Sequence, residues 1–501
     1  MRSATVKSLI IEIPFQPKKI SIQTVIRKGI PTIKILGIPA QKSIEICTKL
    51  QTILLSNEIN LPFENIQINI TPSGIKHYAN YLDFSILVSL LFAIHPETQE
   101  EIIQEDSLDN FLFLGEINLL GEIEYSNSLT SIIAQSYKYG FKKIFIPQAN
   151  LEDTIDLVDL EYFTLTHMKD LIDKKYKQEK GKKKLVPEKI PKKEIQIPKN
   201  LIKILPILIS GKHPVLILEN QKLNKNSFLE QIQYLFTDME KEESLEILIF
   251  NPNLKKVKRP FSKINPSIQK KELIDYPRNI LLENQNGILF CEDISLFEKK
   301  TVLFFKELLE KNEVKIYTKE KEEFHISNKF WIFFSAQTCP CGNFLNPHKE
   351  CTCTQKTIFE YIKKFIIHLK YQIEIYFYDV DFNFMSLKKE EVENMREKIY
   401  KAIQIQKNRF SNESFGYNSL IPVERVEEFC EVDSMKTKES LDGFLIHTNP
   451  YYEKKIILKI ARTIADLKDH HLITKEDIIE ATELRNIIYL YEEPTLKKTF
   501  P

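Results

Sequence analysis

Two close thiol pairs offer the clearest chemistry in the chain: Cys339-Pro-Cys341 and Cys351-Thr-Cys353, a CxC-x9-CxC arrangement that uses four of the seven cysteines. Thiolates on two arms of one short loop can complete a tetrahedral four-sulfur site, for which Zn2+ is the default ion in a reducing cell. All four ligands would come from the protein, so such an ion would be structural. Four free thiols with His348 as a bystander is the alternative. An odd cysteine total crowded in this way argues for reduced thiols in a cytoplasmic protein and against a disulfide framework. Cys47, Cys291 and Cys430 read as buried hydrophobes.

Phosphate chemistry is the second possibility, and glycine decides how it is read. A loop that cradles phosphate needs glycine wherever consecutive N–H groups must approach the ligand closely. The chain has only 12 glycines in 501 residues, where roughly 35 would be usual at ~7 %. Neither GxGxxG nor GxxxxGK[ST] occurs, so an intact dinucleotide fingerprint or P-loop is excluded. Abundant Ile, Lys and Asn point to an AT-rich coding bias as the neutral explanation of the shortage.

The elements that would position these groups fall into blocks. Residues 5–38 alternate as paired strands around the turn Lys28-Gly29-Ile30-Pro31, residues 40–56 have helical spacing, and IQINITP at 66–72 is a strand. LDFSILVSLLFAI, a hairpin FLFLGEINLLGEIEY, the helix SLTSIIAQSYKYG and the strand KKIFIP complete an α+β domain over 1–173. Residues 174–200 are lysine-dense with prolines and read as a basic linker that could also contact nucleic-acid phosphates. From 201 to 386 the order is α/β: strand HPVLILEN, helix NSFLEQIQYLF, strands LEILIF and NGILFCED, helix LFEKKTVLFFKELLEK, and strands VKIYT, KFWIFFSA and IEIYFYDV, with the Cys-rich loop at 339–353. Residues 387–501 read as helical, with Thr474 capping the helix TKEDIIEATELRNIIYLY. Lys+Arg 70 against Asp+Glu 69 leaves a net charge of +1, so the whole molecule is no polycation built for nucleic acid. The N-terminal apolar run is too short for a signal peptide, and no uncharged apolar run of 18 residues predicts a membrane span.

In order and local wording the chain resembles the ComM/YifB family of magnesium-chelatase-like AAA+ proteins over nearly its full length. The strings that carry the resemblance are Gly37-Ile38-Pro39, INLPFENIQINITPSG at 59–74, YLDFSI at 81–86, FLGEINLLGEI at 113–123, Arg259-Pro260-Phe261, NGILFCED at 286–293, CPCG at 339–342 with Cys351-Thr352-Cys353, and ILKIARTIADL at 457–467. The resemblance implies a Lon-protease-like N-terminal domain, an AAA+ core, a helical C-terminal lid, a hexameric ring, and an ATPase linked to DNA branch migration in recombination of incoming DNA.

Taken one at a time, the implied nucleotide positions depart from the family pattern. Lys225 stands where the family lysine belongs, but Asn224 replaces the preceding glycine, Asn226 the Mg2+-binding hydroxyl residue (with Ser227 next), and Glu219 the first glycine. A carboxylate there opposes phosphate charge. The strand expected to end Asp-Glu ends Glu292-Asp293, each carboxylate one methylene from its required reach. Gln337 stands for the sensor asparagine, and Phe365 to Lys370, including His368, stands for the segment with the trans-acting arginine. Pro450-Tyr451-Tyr452 replaces the second sensor arginine, while Lys459 and Arg462 survive on one helical face. Glycine persists at Gly37, Gly115, Gly121, Gly287 and Gly342, so coding bias alone does not explain its loss from the phosphate loop. Ser128 to Ser131 and Ser85 have no lysine placed to activate them, which disfavours peptidase chemistry. The leading expectation is a pseudo-ATPase that binds DNA, branched or single-stranded, or a protein partner. The alternatives are an active ATP·Mg2+-dependent DNA motor using Lys225, Glu292 and Asp293, and a structural adaptor without DNA contact.

Overall fold

The computed structural model describes residues 1–12, 16–75, 78–103, 106–127, 129–157, 159–184, 194–220, 230–254, 257–274, 279–317, 323–379, 383–444 and 450–489. The chain forms two compact units, one of residues 1–187 with 240–258, the other of residues 188–239 with 259–501. Among the described residues no helix is long and apolar enough to cross a membrane.

The first unit opens with the long antiparallel pair β1 (Arg2–Glu12) and β2 (Gln16–Arg27), followed by β3 (Thr32–Leu36), α1 (Ala40–Ser56), β4 (Asn65–Thr71) and α2 (Leu82–Ile94). These strands make one sheet in the order β1-β2-β4-β3. Period-2 alternation sends Ile20, Ile22, Thr24 and Ile26, and likewise Ile66, Ile68 and Ile70, to the buried face. There they meet α2, which is apolar all round and buried accordingly. Its few hydroxyls are satisfied against the sheet, with Ser85 3.0 Å from Ser8 and Ser89 2.7 Å from Thr24. A second sheet is built from β5 (Phe111–Phe113), β6 (Lys143–Pro147), β7 (Glu161–Leu165) and β8 (Lys177–Glu179), in the order β8-β7-β6-β5. Phe113, Phe145 and Phe163 stack across it with centroids 4.9 and 4.7 Å apart.

Two sequence expectations differ from this unit. The lysine-dense stretch read as a linker supplies β8, and Lys183–Lys184 pairs in parallel with Ile155–Asp156. Lys183 is nearly buried; its ammonium donates to Thr130 Oγ1 (2.8 Å) and to the Pro252 carbonyl, with Asp153 at 3.7 Å. Ladder hydrogen bonds do not depend on side-chain type, and lysine stems lie along apolar surface while most heads stay wet. Composition therefore hid the pairing. The strand expected at LEILIF is a helix, Lys241–Phe250, whose entry is closed by a Glu240/Glu243 capping box. It lies in the first unit, where Ser131 donates to the Ile249 carbonyl at 2.8 Å. A short apolar run carries no period that separates strand from buried helix.

In the second unit β9 (Ile195–Pro198) pairs antiparallel with a later strand, β15, and leads into α3 (Lys199–Gly211) and β10 (Val215–Glu219). Next come β11 (Phe261–Ile264), β12 (Ile288–Cys291), α4 (Lys299–Lys311), β13 (Trp331–Gln337), α5 (Gln355–Leu369), β14 (Ile375–Asp379) and β15 (Phe384–Leu387). Strands β10 to β14 form one parallel sheet in the order β11-β12-β13-β10-β14. The inner strands β10, β12 and β13 read as near-continuous apolar runs because both faces are covered.

The rest of this unit is mainly helical and includes α6 (Lys389–Arg409), α7 (Pro450–Leu467) and α8 (Lys475–Glu483). Thr474 caps α8 as expected, in a capping box with Asp477. Two buried polar clusters tie these helices to the sheet. His213 bonds Glu374 and, at 2.7 Å, Thr463 Oγ1 on α7. Arg485 pairs in bidentate fashion with the fully buried Glu453 (2.7 and 3.0 Å) and donates to the carbonyls of Ile373, Glu374 and Lys370.

Candidate functional site

The strand order creates the site. β10 lies between β13 and β14, and strand order reverses beside it. In open parallel sheets ligands bind outside the carboxyl ends of the strands at such a switch point. Register brings Glu219, Gln337 and Asp379 side by side at this edge, and Glu292 and Asp293 follow Cys291, the last residue of β12. The sequence-expected residues Glu219, Glu292, Asp293 and Gln337 thus share one rim. Lys225, Asn226 and Ser227 lie outside the described residues.

The carboxylates of Glu292 and Asp293 are both engaged by neighbouring groups. Glu292 forms an ion pair with Lys263 of β11 at 2.7 Å. Asp293 sits in the left-handed region (φ 51°), and its N–H donates to Ser335 Oγ at 3.1 Å. One of its oxygens accepts from Ser295 at 2.6 Å, and Ser295 in turn accepts from Tyr361 of α5 at 2.9 Å. Burial, opposed by the Ser295 bond, holds the Tyr361 phenol well above its ordinary pKa, so it stays a donor. Glu219 is buried, and its carbonyl accepts from Thr338 N at 3.1 Å.

The remaining expected residues are placed elsewhere. His368 is half-buried on α5, and burial together with the charges of Lys299 and Lys306 lowers its pKa. Lys459 donates to the Ser419 carbonyl (2.8 Å) and faces Glu374 at 3.7 Å. Arg462 is spent on the end of its own helix, donating to Asp466 and to the carbonyls of His470 and His471. Arg259 is buried too: its guanidinium lies over the rings of Phe236 and Trp331 (5.2 and 4.9 Å to the centroids) and donates to the Asn286 carbonyl.

The four cysteines converge as their spacing implied. Their sulfurs all lie within 4.8 Å of one another, and three of the separations are 3.4, 3.6 and 3.7 Å. A tetrahedron with metal–sulfur bonds of ~2.3 Å has edges of about 3.8 Å, whereas a disulfide would need ~2.05 Å. The donor set therefore fits a soft, tetrahedral ion. Burial opposes ionisation of Cys341, but N–H groups of Asn343 and Thr352 and the thiols of Cys339 and Cys353 together bring it down to about 5. Burial first, then the neighbouring thiols, push Cys351 up to about 12. The Phe344 N–H also donates to Cys339 Sγ at 3.3 Å, an outer contact of the kind that orients a metal-bound thiolate.

Sequence reasoning did not find Lys263, Ser295, Tyr361 or Tyr378. None carries a local signal, because their roles arise only where strands distant in sequence lie side by side.

Three family profiles match the chain in succession: subunit ChlI of Mg-chelatase over residues 22–150, magnesium chelatase subunit ChlI over 193–383, and the magnesium chelatase subunit ChlI C-terminal region over 389–485. The chain is similar to the uncharacterized protein YifB of Escherichia coli (strain K12), 22 % identical over 497 residues, which cover 93 % of this chain and 94 % of that protein. It is similar to the competence protein ComM of Haemophilus influenzae, 21 % identical over 95 % of this chain and 96 % of that one. A YifB of Salmonella typhimurium is 20 % identical over 93 % and 94 %.

Proposed function

The chain belongs to the ComM/YifB family of magnesium-chelatase-like AAA+ proteins, and from that premise we propose that it acts as a non-hydrolysing member, a pseudo-ATPase that binds DNA or a protein partner. The observation that carries this reading is the state of the rim at the switch point. A hydrolytic site needs one carboxylate for Mg2+ and another free to polarise water. Here Glu292 is neutralised by Lys263, and Asp293 is held by Ser295 and its own backbone N–H bond. Glu219 places a buried carboxyl group at the end of β10, where a glycine-rich cradle would need none. These described residues do not fit a triphosphate with its Mg2+. Lys459 and Arg462, the surviving cations, are consumed by contacts inside the helical region.

The competence role in the name of the Haemophilus relative supports a DNA-linked reading, with the first unit as a Lon-like scaffold and the chain assembling as a ring. The four-thiol centre is read as a structural Zn2+ site held by Cys339, Cys341, Cys351 and Cys353; the ion would cross-link the two arms of the loop and take no part in a reaction. Calorimetric titration with ATP·Mg2+, paired with a DNA-stimulated hydrolysis assay, tests the main proposal. The expected outcome is no turnover in wild type and none to lose in Lys225→Ala. Micromolar binding with turnover that collapses in Lys225→Ala would establish the DNA motor instead. Salt-dependent retention of branched or single-stranded DNA separates a DNA binder from an adaptor, whose mobility shift would be absent.

A further inference from the structure

The loop that carries the four cysteines is fastened to the end of β10, the strand that feeds the switch point. Thr338 N donates to the Glu219 carbonyl at 3.1 Å, which brings the start of the loop against the strand end. The next residue of the chain, Asn220, is buried, and its side-chain amide bridges Tyr378 Oη of β14 (2.9 Å) and Thr338 Oγ1 (3.1 Å). In that orientation Tyr378 Oη is free to donate to the Leu345 carbonyl at 2.6 Å. With the amide turned over, its nitrogen instead faces the carbonyls of Phe344 (3.2 Å) and Gly342 (3.3 Å), and its oxygen accepts from Tyr378 Oη at 2.9 Å.

Gly342 explains why the approach is so close. Its φ is +75°, and a Cβ built there would stand 2.4 Å from the Asn220 carbonyl oxygen, so only glycine lets the loop turn over the strand end. The same turn is tied to the thiols: Gly342 N donates to the Cys339 carbonyl (2.9 Å) and Phe344 N to Cys339 Sγ (3.3 Å). Cys339, Gly342, Phe344, Asn220 and Tyr378 therefore form one continuous set of contacts from the sulfur cluster to the strand end.

We propose that the four-thiol centre is a positioning device for the switch point: an ion bound by the four thiolates fixes loop 338–345, and the loop, through Asn220, fixes the end of β10. The inference rests on the zinc reading above. By linkage, whatever the loop does to the strand end, the strand end does to metal affinity by the same factor. Metal occupancy would then control the geometry of the ligand edge from outside the ligand's own contacts, whether that ligand is a nucleotide or a partner segment.

Hydrogen–deuterium exchange on the full-length chain tests it. Zn2+-loaded protein is compared with protein stripped by chelator and reductant, reading peptides over 215–220 and 338–345 with α6 as the internal reference. The expected result is exchange about tenfold faster at 216–220 on stripping, with α6 unchanged. Asn220→Ala should reproduce that rise at full Zn2+ load and weaken Zn2+ retention against a chelator. Tyr378→Phe, which removes one hydroxyl and keeps the ring, should do the same to a smaller degree and serves where Asn220→Ala does not fold. Unchanged exchange at 216–220 on stripping, or in both variants, would overturn the coupling while leaving the zinc reading in place. Less than about half an equivalent of Zn2+ per chain would overturn both.

Discussion

Arg485 is fully buried and tied on several sides. Its Nε and Nη2 meet the two oxygens of Glu453 at 2.7 and 3.0 Å, and its other donors reach the carbonyls of Ile373, Glu374 and Lys370. Glu453 is itself fully buried, with Lys370 Nζ 3.8 Å away. Removing one partner of such a pair leaves a charge in the interior, which costs about 3–5 kcal/mol. Arg485→Met should therefore destabilise the second unit by about that amount, Lys370 offsetting part of it. Glu453→Met should cost less, because Arg485 keeps its three carbonyl acceptors at ~1 kcal/mol or more each. The double variant should cost less than the sum of the two singles, since no stranded charge remains although three carbonyls lose their donor. Trp331, the chain's single tryptophan, is buried in this unit's core, so its fluorescence during urea unfolding reports the unit alone. A loss below about 1 kcal/mol in Arg485→Met, or a double variant equal to the sum of the singles, would refute the reasoning.

Other outcomes follow from the same physics. Asp477 is buried, which opposes its ionisation, yet His470, the N–H and hydroxyl of Thr474, and Lys468 all favour the anion and hold its pKa below the ordinary 3.8. Its contribution is thus full above about pH 3.8 and is lost as pH falls through the lower folded value. Asp477→Asn should flatten that acid limb of a Trp331-monitored pH titration and lower stability at pH 7 by about 1–3 kcal/mol. Lys183→Met should leave Thr130 Oγ1 and the Pro252 carbonyl without their donor. A loss of about 1–3 kcal/mol from the first unit is expected, visible as earlier cleavage there in limited proteolysis. Stripping the metal should lower the thermal midpoint of the Trp331 transition, and Cys353→Ser should lower bound Zn2+ measured by elemental analysis.

What could be read in advance divides along physical lines. Alternation in β2 and β4, the apolar run of α2 and the Thr474 cap are local patterns, and the fold honours them. The CxC-x9-CxC spacing was enough to bring four sulfurs together, because loop closure over so few residues leaves little freedom. The pairing of the lysine-rich stretch was not legible, since backbone ladders leave no mark on side-chain composition. Nor was the helix at Lys241–Phe250, whose apolar run suits a strand or a buried helix equally.

By itself the sequence determined which groups the chain can offer: no GxGxxG or GxxxxGK[ST] motif, Glu292 before Asp293, and a four-thiol loop. Only the tertiary structure decided what the described groups are bonded to. Lys263 reaches Glu292 because β11 lies beside β12, and Asn220 reaches Thr338 and Tyr378 because β10 lies between β13 and β14. Strand order is a property of the whole sheet, and no spacing along the chain encodes it.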